Sequence, residues 1–299
     1  MELVTLFYIV DEFCKAFEPE WRAKQIETGE RQRIRSSTMT LSEVMTICIW
    51  FHASGYRQFK KYYIDYICDQ HRADFPSSVS YGRFVELMSN ATLPLLALMM
   101  SLRAPATLVN FVDSTTLDVC DNKRIWKHRV FKGIATRGKS SMGWFFGLKL
   151  HLTVNERGEI TSFFLTPGNV ADNNRELMFK LTEEITGKLY ADKGYISHDL
   201  FLSLLQKGVT LITGMRRNMK NQLLSLWDKL MLRKRSIIET INDQLKNTQQ
   251  IEHTRHRSPK NFLTNLLSGL VAYQLQPKKP SIHYTKPQQQ LLTQPLLLT

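Results

Sequence analysis

Leu108-Val109-Asn110-Phe111-Val112-Asp113 is an apolar, β-rich run closed by a carboxylate. Lys188-Leu189-Tyr190-Ala191-Asp192 repeats the form. Short runs rich in β-branched and aromatic residues, bounded by polar ones, read as strands. Each of these two would end on an acid.

The segments around them set the architecture. After a polar loop, Trp144 to Val154 alternates in part and contains Gly147. The turn Asn155-Glu156-Arg157-Gly158 leads into a third strand, Glu159 to Leu165, closed by Pro167-Gly168-Asn169. A helix is expected from Asn173, with Glu176 completing a capping box and Gly187 ending it. Ser197 caps another helix, Leu200 to Gln206, ended by Gly208; Val209 to Thr213 is the fifth strand. A long helical stretch then carries Glu239. The order β-β-β-α-β-α-β-α predicts a mixed sheet flanked by helices. Its first three strands can form a meander, and the later two arrive by crossovers and pair in parallel.

Residues 1–105 read as helices. Leu3, Leu6, Phe7, Val10, Phe13, Cys14 and Phe17 follow helical spacing. Thr40 or Ser42 caps a helix that Gly55 breaks, and a second helix carries Phe59, Tyr62, Tyr63, Tyr66 and Ile67. Helix, glycine turn, helix is the form of a DNA-reading helix-turn-helix, with Arg57, Lys60, Lys61 and Arg72 on the second helix; a packing domain with a solvated basic face is the alternative. Ser258-Pro259 opens a last helix. The expected domains are a helical one over 1–105, a catalytic one over 106–276, and a flexible Pro- and Gln-rich tail over 277–299.

The 299 residues suffice for two domains. A formal net charge of +13 attracts polyanions by counterion release, which makes nucleic acid the expected partner. No segment carries the roughly 18 consecutive apolar residues of a membrane span, so no membrane partner is expected. Glu2, Asp11 and Glu12 near the N-terminus do not fit a secretory signal. Cys14, Cys48, Cys68 and Cys120 form no C-x-x-C pair, which argues against a zinc ribbon and suits a reducing cytoplasm. The absence of Gly-x-x-x-x-Gly-Lys argues against ATP use.

Glu239 lies in the basic stretch Arg233-Lys234-Arg235-Ser236-Ile237-Ile238-Glu239. With Asp113 and Asp192 it makes three carboxylates on separate elements, a set suited to hard divalent cations. Two Mg²⁺ ions about 3.5–4 Å apart would neutralise phosphoryl charge and activate an oxygen nucleophile. Singly, an Asp ending a strand is often a turn residue, and a helical Glu among cations a solvated ion pair. Jointly they point to phosphodiester chemistry. Arg235, Glu239, Asp243 and Lys246 share a helical face, so Arg235 and Lys246 are expected to grip phosphates while Arg233 and Lys234 add field. Lys149 and His151 alternate along one strand face with Gly147 and are candidates for DNA contact; a structural role for His151 is the alternative. Asp118, Asp121, His128, His151 and Asp172 can also approach the ions. Trp126 and Trp144 can stack on bases or pack in a core, and the Lys123-Arg124-x-x-Lys127-His128-Arg129 loop can meet phosphate or water.

Val112-Asp113-Ser114, Ala191-Asp192-Lys193-Gly194-Tyr195 and Arg235-x3-Glu239-x6-Lys246 resemble the three signature blocks of DDE transposases from bacterial insertion sequences. Gly147-Leu148-Lys149-Leu150-His151 and Leu165-Thr166-Pro167-Gly168-Asn169 also resemble family segments, and the insertion-sequence-982 family is the nearest match. Position 232 is Leu where related families carry Tyr. The resemblance covers residues 5–275 and implies an α/β, ribonuclease-H-like mixed sheet with flanking helices, preceded by an all-helical N-terminal domain. It implies Asp113, Asp192 and Glu239 as ligands of two Mg²⁺ ions, for which Mn²⁺ can substitute, and Arg235 and Lys246 as DNA-binding. Cleavage at element ends followed by transfer of 3′-hydroxyls into target DNA is the implied reaction. Double-stranded DNA, a homodimer on it and a bacterial cytoplasmic setting are the implied partners and place. A nuclease that only hydrolyses, or a non-catalytic DNA-binding relative, is the alternative.

Overall fold

A computed structural model describes residues 1–29, 37–140, 143–215, 224–252 and 256–285. By packing, the chain divides into a unit of Met1–Leu102 with Asp243–Pro277, and a unit of Arg103–Asn242 joined by the described residues from Lys278.

The axis of the second unit is a twelve-residue strand, β1 (Val109–Cys120). It runs antiparallel to β3 (Gly143–Asn155) and parallel to β5 (Gly187–Ala191). β2 (Thr136–Ser140) pairs with the first part of β3 and β4 (Ile160–Pro167) with the rest, both antiparallel. β6 (Val209–Thr213) extends the sheet parallel to β5. The path β4-β3-β1-β5-β6 is a meander followed by two parallel strands, the expected ribonuclease-H-like mixed sheet.

Local chemistry explains the joints. Asn155 Oδ1 accepts from the N–H groups of Arg157 and Glu159, and Gly158 adopts φ +73°, which closes the β3–β4 hairpin. Asn174, not the expected Asn173, caps α6 (Arg175–Leu181) by accepting from Leu177 N–H at 3.0 Å. Ser197 caps α7 (His198–Gln206). These two helices bury Leu177, Met178, Leu181, Leu200 and Leu204 with Val112, Leu189, Ala191, Val209 and Leu211 of the sheet. Beyond β6 come α8 (Leu226–Lys234) and α9 (Ser236–Asp243). Asp228 fastens α8 to β5: its Oδ1 accepts from Lys188 Nζ and the Tyr190 hydroxyl, each at 2.8 Å.

The other unit is helical. It holds α1 (Leu3–Glu27), α2 (Leu41–Phe51), α3 (Phe59–Lys61), α4 (Tyr81–Asn90), α5 (Thr92–Ser101) and α10 (Pro259–Gln274). Thr40 and Glu43 form a capping box at α2, and Gly55 at φ +77° ends the turn after it. π-helical segments follow α3 at Tyr62–Gln70 and α9 at Gln244–Thr248. Among the described residues no single helix is long and apolar enough to cross a membrane. All four cysteines are free.

Several expectations need correction. Asp113 does not end its strand, because pairing with β3 carries β1 on to Cys120. The polar loop before β3 contains β2, whose inward residue is Gly138 and so leaves no apolar signal. The last helix, placed by sequence in the catalytic domain, packs on α2, α4 and α5, where Leu266, Leu267, Leu270 and Val271 are buried. The expected tail is fastened at its start: Ile282 N–H donates to Glu156 O at 2.8 Å, and the Tyr284 ring stacks on Trp227. Residues 286–299 lie outside the described residues.

A Cβ on Gly147 would lie 2.0 Å from the backbone oxygen of Leu117 on β1. Gly147→Ala is therefore expected to lower stability by roughly 1–3 kcal/mol, seen as a fall in thermal midpoint. Gly82→Ala, at a helical position with nothing within 4 Å of the added carbon, should be neutral or mildly stabilising. Equal midpoints for the two variants would contradict the close approach of β1 and β3.

Candidate active site

The β1–β5 register pairs Val109 with Lys188, Asn110 with Leu189 and Phe111 with Tyr190. Two residues beyond the last pair stand Asp113 and Asp192. Continuing the register therefore brings them level on neighbouring strands, which in a sheet are about 4.8 Å apart. Asp113 stays within β1 and is half-buried. Asp192 leaves the sheet as an exposed residue opening the 3-10 turn Lys193–Tyr195.

Alternation along β1 sends Asp113 and Ser114 to opposite faces, opposite Leu152 and His151 respectively. On the first face the buried Asn242 of α9 donates from Nδ2 to Asp113 Oδ2 at 3.2 Å. Glu239, one turn earlier on α9, is exposed, and its Oε1 lies 2.6 Å from Arg235 Nη2. Burial pushes the Asp113 carboxyl up to about 6; Glu239 and Asp172 push the same way, while the Ser114 backbone N–H and Arg235 oppose them. Asp113 thus feels both Glu239 of α9 and Arg235, which joins α8 to it.

The second face is a closed polar network around Asp172. Its Oδ1 accepts from the Ser114 hydroxyl at 2.8 Å and from Lys149 Nζ at 3.0 Å. Lys149 Nζ also donates to Val170 O at 3.0 Å. His151 Nε2 lies 2.9 Å from Thr166 Oγ1, and its buried Nδ1 stands 4.0 Å from Asp172. Burial pulls His151 down to about 4, with Lys149 acting the same way and Asp172 against. The ring is therefore neutral near pH 7. The Tyr195 hydroxyl is buried beside Ser114; burial raises its pKa, as do the charges of Asp113 and Asp172, while Ser114 and Arg235 oppose them.

Some expected DNA contacts are corrected by this arrangement. Lys149 and His151 are buried and committed to Asp172, Val170 and Thr166, because on their face of β3 the 170–172 segment meets Lys149 and the neighbouring strand's Thr166 meets His151. They offer no surface to DNA. Lys234 Nζ donates to His283 O at 2.6 Å and sits 5.5 Å from the centre of the Tyr284 ring. Arg233 is exposed at the end of α8. Lys246 belongs to the helical unit, where its Nζ lies 2.9 Å from Glu252 Oε2. Its segment is π-helical, so the i, i+3 step from Asp243 that put it on the face of Glu239 does not carry through. Asp118 is exposed, Asp121 caps the Lys123 N–H, and His128 stacks on Phe131.

Sequence reasoning missed Asn242 and Tyr195 as neighbours of Asp113. Asn242 left a faint signal: an amide on the helical face of Ile238 and Ile241, where an apolar residue would pack. Tyr195 gave none beyond its place in Asp192-Lys193-Gly194-Tyr195.

The donor chemistry fits a hard divalent cation, since Asp113, Asp192 and Glu239 offer only oxygen and Asp113 lacks a cationic hydrogen-bond donor of its own. Among the described residues, however, no three His, Cys, Asp or Glu side chains stand close enough together to hold a metal ion. Glu239 is held by Arg235, and would have to exchange that partner to serve as a ligand.

A family model described as "Transposase DDE domain" matches residues 103–259. Among solved structures the chain is similar to piggyBac transposase in its cryo-EM synaptic complex with hairpin DNA, at 11% identity and a TM-score of 0.49, over 91% of this chain and 74% of that one. No curated protein matches the chain.

The raised Asp113 pKa has a defined sign in stability. The folded state favours the protonated acid, so this stabilisation is full below the unfolded value near 3.9 and is lost as pH rises through about 6. Asp113→Asn should then be at least as stable as wild type at pH 7, with the difference shrinking towards pH 4. Urea unfolding at both pH values checks this, and a variant clearly weaker than wild type at pH 7 would contradict it.

Proposed function

The chain belongs to the transposase DDE domain family, and from that premise we propose that it cuts DNA at the ends of a mobile element and joins the resulting 3′-hydroxyls to target DNA. The element is of the bacterial insertion-sequence-982 type, on the motif resemblance of Asp113, Asp192 and Arg235-x3-Glu239. The observation that supports the reading is the parallel β1–β5 register, whose continuation brings Asp113 level with Asp192, together with the raised proton affinity of the half-buried Asp113 carboxyl.

In this reading Asp113, Asp192 and Glu239 hold two Mg²⁺ ions, or Mn²⁺ in their place. Bound there, the ions supply charge neutralisation and activation of the attacking oxygen. The residues of the chain do the rest. Asn242 orients the Asp113 carboxylate through its 3.2 Å hydrogen bond. Arg235 holds Glu239 until the site fills, and its guanidinium is then available to a phosphate. Exposed Arg233 adds field at the same end of α8. Tyr195 and the apolar cluster beneath it back the Asp192 turn and keep water out from below. The helical unit, with exposed Arg57, Lys60 and Lys61, supplies further DNA contact. Two element ends must be held together for joining, so the working form is a homodimer on double-stranded DNA in the bacterial cytoplasm.

Asp192→Asn and Glu239→Gln are each expected to lower cleavage and joining roughly 100-fold or more, the scale of losing several kcal/mol of charge stabilisation, while DNA affinity persists. Labelled element ends incubated with Mg²⁺ separate the outcomes. Joined products support transfer, nicks alone point to hydrolysis, and wild-type rates from either variant defeat the assignment. Binding to paired DNA should also weaken steeply between 50 and 200 mM salt, by roughly 10³-fold or more if six or more phosphates are neutralised. A flat response would remove the phosphate-dominated interface.

A further inference from the structure

Two of the three exposed aromatic side chains among the described residues, Trp126 and Trp144, lie in one short segment; the third is Tyr8. Trp126 is 95% exposed and Trp144 54%. An indole in water carries an unfavourable apolar exposure that a binding partner would relieve. Between Cys120 and Gly147 the sequence has seven Lys or Arg and one carboxylate, Asp121. That acid is turned back to cap the Lys123 N–H. The segment is therefore a cationic knob tipped with indoles.

Its geometry is braced. Strand alternation puts Arg137, Lys139 and Trp144 on the outer face of the β2–β3 hairpin and Gly138 and Phe145 on the inner one. The Arg137 guanidinium lies 4.9 Å from the Trp144 ring centre and Lys139 Nζ 5.9 Å. On the inner face, a Cβ on Gly138 would sit 2.2 Å from Gly168 O. The Thr136 hydroxyl donates to Asn169 Oδ1 at 2.9 Å and accepts from the Asn169 N–H at 3.0 Å. Pro167-Gly168-Asn169 thus clamps the hairpin against the sheet. Asn122 Nδ2 donates to Trp144 O, which ties the Trp126 turn, Asn122–Lys127, to the same hairpin. Exposed Lys123, Arg124 and Lys127 flank Trp126 there.

We propose that this knob binds DNA carrying unpaired bases, with Trp126 and Trp144 stacking on the bases and the surrounding cations on the phosphates. Rigid aromatics among cations suit unpaired strands, because every base offers a π-face while the charges follow the backbone. A fully paired duplex would meet the cations but hide its base faces. The hairpin is rooted at Gly147, opposite Asp118. From Asp113 to Asp118 is about 17 Å of strand, or about five nucleotides, so DNA reacting at Asp113 can reach the knob within the same molecule. The inference rests on the transposase reading but is tested without catalysis.

The test measures binding of the full chain to two fluorescent probes of the same sequence, a fully paired duplex and one with a single-stranded overhang. Trp126→Ala and Trp144→Ala are each expected to weaken overhang binding about tenfold and duplex binding less than about twofold. Trp144→Phe should recover most of the loss. Arg137→Gln with Lys139→Gln should weaken both probes and flatten the salt dependence. Unchanged overhang binding in both Trp variants overturns the inference, as does equal weakening on the two probes. Conversion of a dimer to monomer by Trp126→Ala, seen in gel filtration with overhang binding intact, would assign the surface to a second copy and also overturn it. If the Trp variants bind normally while wild type still cuts element ends, only this inference falls. If Asp192→Asn keeps wild-type cutting, the transposase reading falls and the stacking surface is still judged by the probes.

Discussion

The parallel pairing of β1 with β5 is the constraint on which the rest of the sheet-bearing unit depends. Parallel neighbours cannot be joined by a tight turn, so the chain must leave β4, cross by way of α6 and return. The crossover is held by Leu177, Met178 and Leu181 packed against Val112, Leu189 and Ala191. A slip of one residue would turn every side chain of β5 to the wrong face, moving Leu189 out of that core and Tyr190 off Asp228. The level placement of Asp113 and Asp192 is thus protected by apolar packing that neither acid makes itself.

Two aspartates near the same strands show how environment divides an acid saturated with donors from one that keeps acceptor capacity. Burial favours protonation of both. At Asp228 it is outweighed by hydrogen bonds from Lys188, Ser225 and Tyr190, which hold the acid below its ordinary range. That carboxylate is saturated with donors and serves to fasten α8. Asp113 receives one amide from Asn242 and the Ser114 N–H, and it faces the charges of Glu239 and Asp172. Its proton affinity therefore stays high, and its oxygens retain acceptor capacity for a cation. Asp172 lies behind the strand, saturated by Ser114 and Lys149, and acts on Asp113 only through its field.

Glycines let the sheet carry extra load. Gly147 lets β3 approach β1 without a side chain between them, and Gly138 with Gly168 lets the β2–β3 hairpin fold down on the end of β4. Around Gly138 and Gly168, backbone oxygens and the Phe145 ring fill the space a side chain would take, while Arg137, Lys139 and Trp144 on the outer face stay open to solvent. The Pro167-Gly168-Asn169 motif therefore does more than close a strand: Asn169 and Thr136 lock the hairpin in place.

Much of this was legible in the chain itself. Runs such as Val109–Val112 and Lys188–Ala191, the Asn155–Gly158 turn, the Ser197 cap and the Pro259 helix start carry their instructions locally, in periodicity and end chemistry. They determined the mixed sheet and the order in which its elements follow, and they singled out Asp113, Asp192 and Glu239 as the acids of the proposed site. β2 was invisible because its inward residue is a glycine, and the length of β1 because Ser114-Thr115-Thr116 opens the polar stretch read as a loop until β3 pairs with it. Only the tertiary structure could decide that Lys149 and His151 face inward, that Asn242 meets Asp113, that Lys246 pairs with Glu252 and that the last helix joins the helical unit. Those outcomes depend on which surface each face finds. A local pattern states that a face is polar or apolar, and only packing between distant segments states what covers it.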